Sequence, residues 1–152
     1  MARRQHRIMI VESRYYEDIA EELLRGATKA LDMAGALYER VTVPGAFEIP
    51  AAVKFAVDGA KAGSDAAAFD GFVTLGCVIR GETTHYDYVC QESARALQHL
   101  AVHHSLAIGY GILTCENRDQ AWARASVDGG DKGGFVANAC LSMIGIRAKF
   151  GQ

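Results

Sequence analysis

The chain has 152 residues, 50% of them hydrophobic and 22% charged, which fits one domain over residues 1–152 with a core that needs no metal or disulfide staple. That mixture excludes disordered, collagen-like and low-complexity classes. Sixteen Lys and Arg against 18 Asp and Glu leave a formal charge of −2, too little for a general nucleic-acid binder but compatible with a local anion pocket.

The first residues, Met1 to Arg7, are basic, but the apolar run behind them stops at Val11 before Glu12. It is too short for a signal peptide or a membrane span, so a soluble cytoplasmic protein is expected. Arg7 to Ser13 reads as a buried strand ending in a polar turn. From about Tyr16 to Ala34, Ile19, Leu23, Leu24, Ala27, Ala30 and Leu31 recur at helical spacing, and Gly35 ends the run. Leu37 to Val43 alternates like a strand near a sheet edge, and Pro44-Gly45-Ala46 turns. A helix follows from about Glu48 to Ala62, with Pro50 in its first turn, where no backbone donor is lost. Lys61 to Asp70 is expected to be a flexible connection.

Phe72 to Ile79 is nearly all apolar, as a strand covered on both faces requires. Helices are predicted from about Thr84 to His103, from Asn117 onward, and from about Asp131 to Lys149, with a strand at Leu106 to Thr114. The four cysteines, Cys77, Cys90, Cys115 and Cys140, form no CxxC pair and read as reduced, mostly buried thiols. Alternating strands and helices imply a parallel sheet between helical layers, joined by right-handed crossovers. Ligands of such sheets collect at the carboxyl ends of the strands. Those ends here are Ser13 to Tyr15, Pro44 to Glu48, Arg80 to His85 and Thr114 to Asn117, and they should converge on one rim.

Gly76 to Cys90 is the richest segment. A strand breaks at Gly81 and runs through Thr83-Thr84 into a helix, whose free amides and two hydroxyls suit a phosphate. His85, in the first turn, could exchange protons near neutral pH, or be a half-buried ring behind a capping Thr. Glu82 would repel a phosphate, so its side chain is expected to point away. Arg80 reads as a structural ion pair more than as an anion ligand.

Pro44 to Pro50 offers amides, a ring and a carboxylate, for recognition of a polar heterocycle or polyol, or for a tight turn with Glu48 favourably placed at a helix start. Tyr15 could stack on a flat ring or cover the core. Arg124 has the default reading of a solvated helix face. Gly129 to Gly134 lacks the residue order of a P-loop and reads as a turn capped by Asp131, leaving Lys132 free. His99 and His103 have a zinc-compatible spacing but no third ligand nearby, which favours a wet helix face.

Together these stretches resemble the 6,7-dimethyl-8-ribityllumazine synthase family. The matching segments are VPGAFEIP at 43–50, GCVIRGETTHYDYV at 76–89, GILTCEN at 111–117 and DKGG at 131–134, in the family's order. The resemblance implies a flavodoxin-like three-layer α/β/α sandwich with a four-stranded parallel sheet, assembled at least into pentamers with sites between subunits. It implies small-molecule substrates, no metal or organic cofactor, and no nucleic-acid or membrane partner. It also implies condensation of 5-amino-6-(D-ribitylamino)uracil with 3,4-dihydroxy-2-butanone 4-phosphate, the penultimate step of riboflavin biosynthesis.

By the same resemblance, His85 transfers protons. Tyr15, Ala46, Phe47, Glu48, Cys77, Val78, Ile79, Tyr110 and Lys132 serve the ribitylaminouracil, and Glu82, Thr83 and Arg124 the phosphate, Arg124 from a neighbouring subunit. The departures are mild: Cys115-Glu116 stands for a more hydroxyl-rich pair, and the 61–70 connection looks long. A non-catalytic flavin- or lumazine-binding protein of the same fold is the alternative, and it need not retain His85, Thr83 and Arg124 together. A flavodoxin-like electron carrier would need bound flavin mononucleotide.

Overall fold

Four parallel strands form one sheet in the computed structural model, which describes residues 4–152. They are β1 (Arg7–Ser13), β2 (Leu37–Val43), β3 (Gly71–Ile79) and β4 (Ile108–Cys115), ordered β2-β1-β3-β4. Ile10 of β1 lies opposite Arg40 of β2 on one side and Val73 of β3 on the other. The two central strands are the apolar ones, since they must bury both faces. The edge strand β2 stays largely exposed, with only Tyr38 and Val43 part-buried, so the alternation of its sequence is not matched by alternating burial.

Strand periodicity divides the core in two. Ile8, Ile10, Val73 and Leu75 pack with Leu23 and Leu31 of α1 (Glu17–Met33), Ala121 of α4 (Arg118–Ala125) and Val136 of α5 (Lys132–Lys149). Met9, Val11 and Phe72 pack with Val53 of α2 (Ile49–Lys61) and Leu97 of α3 (His85–His104) on the opposite face. The result is the expected α/β/α sandwich.

Boundaries fall where local chemistry places them. Asn117 caps α4, its side chain accepting the Gln120 N–H; Asp131 caps α5, accepting the Gly134 N–H at 3.2 Å. β4 starts at Ile108 because Ser105, with φ 53°, ends α3 in the left-handed region. Two glycines are packing requirements. A Cβ on Gly133 would stand 1.9 Å from the Leu23 carbonyl oxygen, and one on Gly109 would stand 2.1 Å from that of Val136. The close seat of α5 on α1 and β4 depends on their absence.

The connection expected to be flexible over 61–70 starts after Lys61, which still belongs to α2, and is tied down instead. It contains a 3-10 turn at Asp65–Ala67. The Arg7 guanidinium donates to the carbonyls of Asp65 (2.8 Å), Ala68 (2.9 Å) and Ala66 (3.1 Å), pairs with Glu39, and lies 4.4 Å from the Phe69 ring centroid. One planar cation satisfies several carbonyls that a loop alone would leave to water.

From β1 the chain winds to β2 at one edge, then returns across to β3 and β4. The direction of winding therefore reverses between β1 and β3, the position at which such sheets open a crevice at their carboxyl ends.

Candidate active site

A cavity of about 480 Å3 opens at that reversal, within the size range of small-molecule pockets. Its first wall is the exit of β1, with Ser13, Tyr15 and Tyr16. The second is the Pro44–Glu48 turn after β2. Cys77, Val78 and Ile79 at the end of β3 form the floor, and Gly81, Thr83, His85, Tyr86 and Val89 complete the rim.

Each of the two turns carries an aromatic ring in solvent, Tyr15 at 76% and Phe47 at 56% exposure. Tyr15 is steadied by an edge contact with Tyr16 at 4.9 Å between centroids, and Tyr16 lies below the Arg118 guanidinium at 5.6 Å. Two exposed flat rings on one cavity suit a planar heterocycle. Ala46 is buried beneath the second turn, whose Glu48 N–H donates to the Gly45 carbonyl at 3.2 Å. Glu48 itself is exposed and offers two acceptor oxygens.

The fourth side is the start of α3, a 20-residue helix whose positive end meets the cavity. Thr84 holds the N-cap position without a side-chain cap bond. The hydroxyl that engages the helix is that of Thr83, which accepts the His85 N–H at 3.4 Å. His85 is the first helical residue and is exposed. Free amides, a hydroxyl and an imidazole thus share one short segment, where an anion and a proton-transfer group are wanted together.

Arg80 proves to be structural, as its ion-pair reading required. Its Nε donates to Glu116 Oε2 at 2.8 Å, Nη1 reaches Asp87 at 3.4 Å, and the guanidinium carbon lies 4.3 Å from the Tyr86 centroid. It joins β3, the residue after β4 and the first turn of α3. Cys77 reaches the cavity floor, but burial pushes its thiol up to about 12, so it stays protonated and non-nucleophilic near neutrality. All four cysteines are free.

The structure therefore brings Tyr15, Ala46, Phe47, Glu48, Cys77, Val78, Ile79, Thr83 and His85 into one cavity. Glu82, between two lining residues, does not line it and is exposed. Nor does the fourth predicted rim segment, Thr114 to Asn117, contribute a lining residue; Glu116 is turned to Arg80 and Asn117 to its own helix.

Three further candidates lie elsewhere on the chain. Tyr110 borders a separate hollow between β4 and α3, with Leu97 and Gln98, where burial pushes its phenol upward. Arg124 is exposed on α4 and donates to the Gln120 carbonyl at 2.9 Å. Lys132 starts α5, with Nζ 4.7 Å from the Phe135 centroid. His99 and His103 stack at 5.3 Å, and no group of three or more metal-ligating side chains occurs among the described residues. No helix there is long and apolar enough to cross a membrane.

One functional-looking residue escaped sequence reasoning. Glu12 is 1% exposed; it accepts from Arg14 Nη1 at 2.5 Å and from Arg40 Nε at 3.0 Å. Arg14 also donates to Glu21 Oε2 at 2.6 Å, and both carboxylates hold its guanidinium above its ordinary pKa. Nothing in a strand-end Glu signals burial; a second Arg two positions on was the available hint.

Comparison with known proteins adds an independent line. The family model for 6,7-dimethyl-8-ribityllumazine synthase matches residues 5–148. A protein of Rhizobium meliloti (strain 1021) named 6,7-dimethyl-8-ribityllumazine synthase 1 is 60% identical over 144 residues, 95% of this chain and 93% of its own length. Proteins named 6,7-dimethyl-8-ribityllumazine synthase are 57% identical in Agrobacterium fabrum, over 95% of this chain and 96% of the relative, and 52% identical in Bartonella tribocorum, over 99% and 95%.

Proposed function

The chain belongs to the 6,7-dimethyl-8-ribityllumazine synthase family, and we propose on that footing that it joins 5-amino-6-(D-ribitylamino)uracil to 3,4-dihydroxy-2-butanone 4-phosphate. The observation that carries the reading is the single cavity in which two exposed aromatic rings, a carboxylate turn and the His85 end of α3 meet.

The reaction needs little more than placement and proton traffic. The uracil's primary amine attacks the butanone ketone, and loss of water gives an imine. Phosphate then leaves, the product tautomerises, and the ribityl-bearing nitrogen closes the ring with loss of a second water. Tyr15 and Phe47 hold the heterocycle, the backbone of Cys77 to Ile79 reads its polar edge, and Glu48 takes ribityl hydroxyls. Thr83, the turn amides at Glu82 and the end of α3 hold phosphate, and His85 carries protons between the successive steps. Aligning two bound reactants supplies much of the acceleration, an effect worth up to about 7–11 kcal/mol in favourable systems.

Arg124, Lys132 and Tyr110 enter this scheme from a neighbouring copy, in a ring of five. What supports that reading is their position, off the cavity of their own chain, together with the planar fork by which Arg124 would grip phosphate. The cytoplasm is the compartment we assign. Mixing the purified protein with both substrates and following lumazine fluorescence tests the activity; fluorescence should rise only with both present, and no rise from the wild type would overturn the reading.

A further inference from the structure

The carboxylate of Glu12 is the most enclosed charge near the cavity, with its side chain 2% exposed, yet no step of the proposed reaction uses it. Its position follows from strand periodicity. At the exit of β1, Ser13, Tyr15 and Tyr16 line the cavity, while Glu12, in phase with Ile8 and Ile10 on β1, forms an ion pair with Arg14. That pair does not end within β1. Arg40 comes from β2, where its own register partner is Ile10, and reaches two residues along to Glu12 at 3.0 Å. Arg14 extends the chain of charges to Glu21 on α1 at 2.6 Å. Two carboxylates and two guanidiniums thus connect β1, β2 and α1 immediately behind the site.

β1 leads into Tyr15 and β2 leads into the Pro44–Glu48 turn, two neighbouring walls of the cavity that follow paired strands. We propose that Glu12 is a positioning residue for the ribitylaminouracil half of the site: by bonding Arg14 and Arg40 together it fixes the gap between the Tyr15 wall and the Phe47–Glu48 wall. The idea rests on the proposed function and adds to it a residue that touches neither substrate. The phosphate half, built on the 81–85 turn, is held by the separate Arg80 cluster. A fault behind the first two walls should therefore fall on one substrate only.

Glu12→Gln keeps the volume of the side chain and removes its charge. Because it also leaves two guanidiniums facing a neutral amide, Arg40→Met is the companion variant. It leaves the Glu12–Arg14 pair intact and cuts only the tie to β2, from a side chain that is already 47% exposed. For both variants KM for ribitylaminouracil should rise about tenfold, since small misplacements of a reactant are costly. KM for butanone phosphate should stay within about twofold, and Arg40→Lys should recover only part of the loss, since an ammonium keeps the charge but not the two-point contact of Nε and Nη2 with Glu12.

General loosening of the fold would raise both KM values together. Equal changes for the two substrates, or no change in Arg40→Met, would overturn the proposal. Equilibrium binding of ribitylaminouracil alone, followed by fluorescence, should weaken in the same order and needs no turnover. A wild type that binds but does not react would defeat the catalytic reading and leave the positioning role to be decided by the variants' binding; a wild type that does neither would defeat both.

Discussion

At the scale of single residues, His85 and Arg124 should fail differently. Positioned acid–base groups contribute about 10²–10⁴-fold. In this scheme placement supplies the larger share, so His85→Ala should lower kcat by about 10²-fold with modest effects on KM. Removing a charge-assisted bond to phosphate costs about 1.5–3 kcal/mol, so Arg124→Ala should raise KM for the butanone phosphate by about 10- to 10²-fold. Steady-state kinetics on the two variants separate these outcomes, and an unchanged KM in Arg124→Ala would defeat its assignment.

The thiols give a pH test. Cys77 and Cys140, both pushed up to about 12 by burial, favour the neutral form in the folded state. Their alkylation by iodoacetamide should be slow at pH 8, still climb above pH 9 where an ordinary thiol levels off, and become fast in urea. Mass spectrometry of trapped peptides reads all three.

His85 and Thr83 were legible as chemistry because a polar cluster follows an apolar strand directly. Glu12 was not, because burial at a strand end depends on what the next strand and helix bring beside it. Arg124 was singled out only by family resemblance; its helix presents it as an ordinary surface cation.

At the scale of elements, sequence periodicity placed the main strands and helices, and the end signals worked where a side chain does the capping, as at Asn117 and Asp131. It failed for the 62–70 connection, whose anchor, Arg7, is about 60 residues away in the chain. No local pattern carries that information.

The need for Gly133, in the first turn of α5, was hidden for a related reason. The sequence reads the stretch as a capped turn, but only the fold shows that the backbone of α1 occupies the space a side chain there would need. Gly133→Ala should cost about 1–3 kcal/mol, the usual range for overpacking, and thermal unfolding should show a lower Tm. A variant as stable as the wild type would mean that α5 can shift on α1 without penalty.

At the scale of the whole molecule, the proposed entry of Arg124 from a neighbouring copy has a test in mixed assemblies. His85→Ala and Arg124→Ala proteins, dissociated together and reassembled, should regain activity if each site combines the His85 of one copy with the Arg124 of the next. Random mixing in a closed ring rebuilds about a quarter of the sites. Within a single chain each variant would lack one of the two groups, and the mixture would stay as inactive as its parts. Light scattering on the same samples reports how many copies assemble, with five expected from the proposed ring.

If Arg124, which bonds to its own helix rather than lining its own cavity, serves the next copy as proposed, quantity becomes a control on catalysis. A preparation thinned below the strength of its intersubunit association should lose turnover per molecule while circular dichroism still reports intact helices. Concentrating it again should bring the rate back, and an organism holding few copies would have less capacity than a linear count of polypeptides suggests.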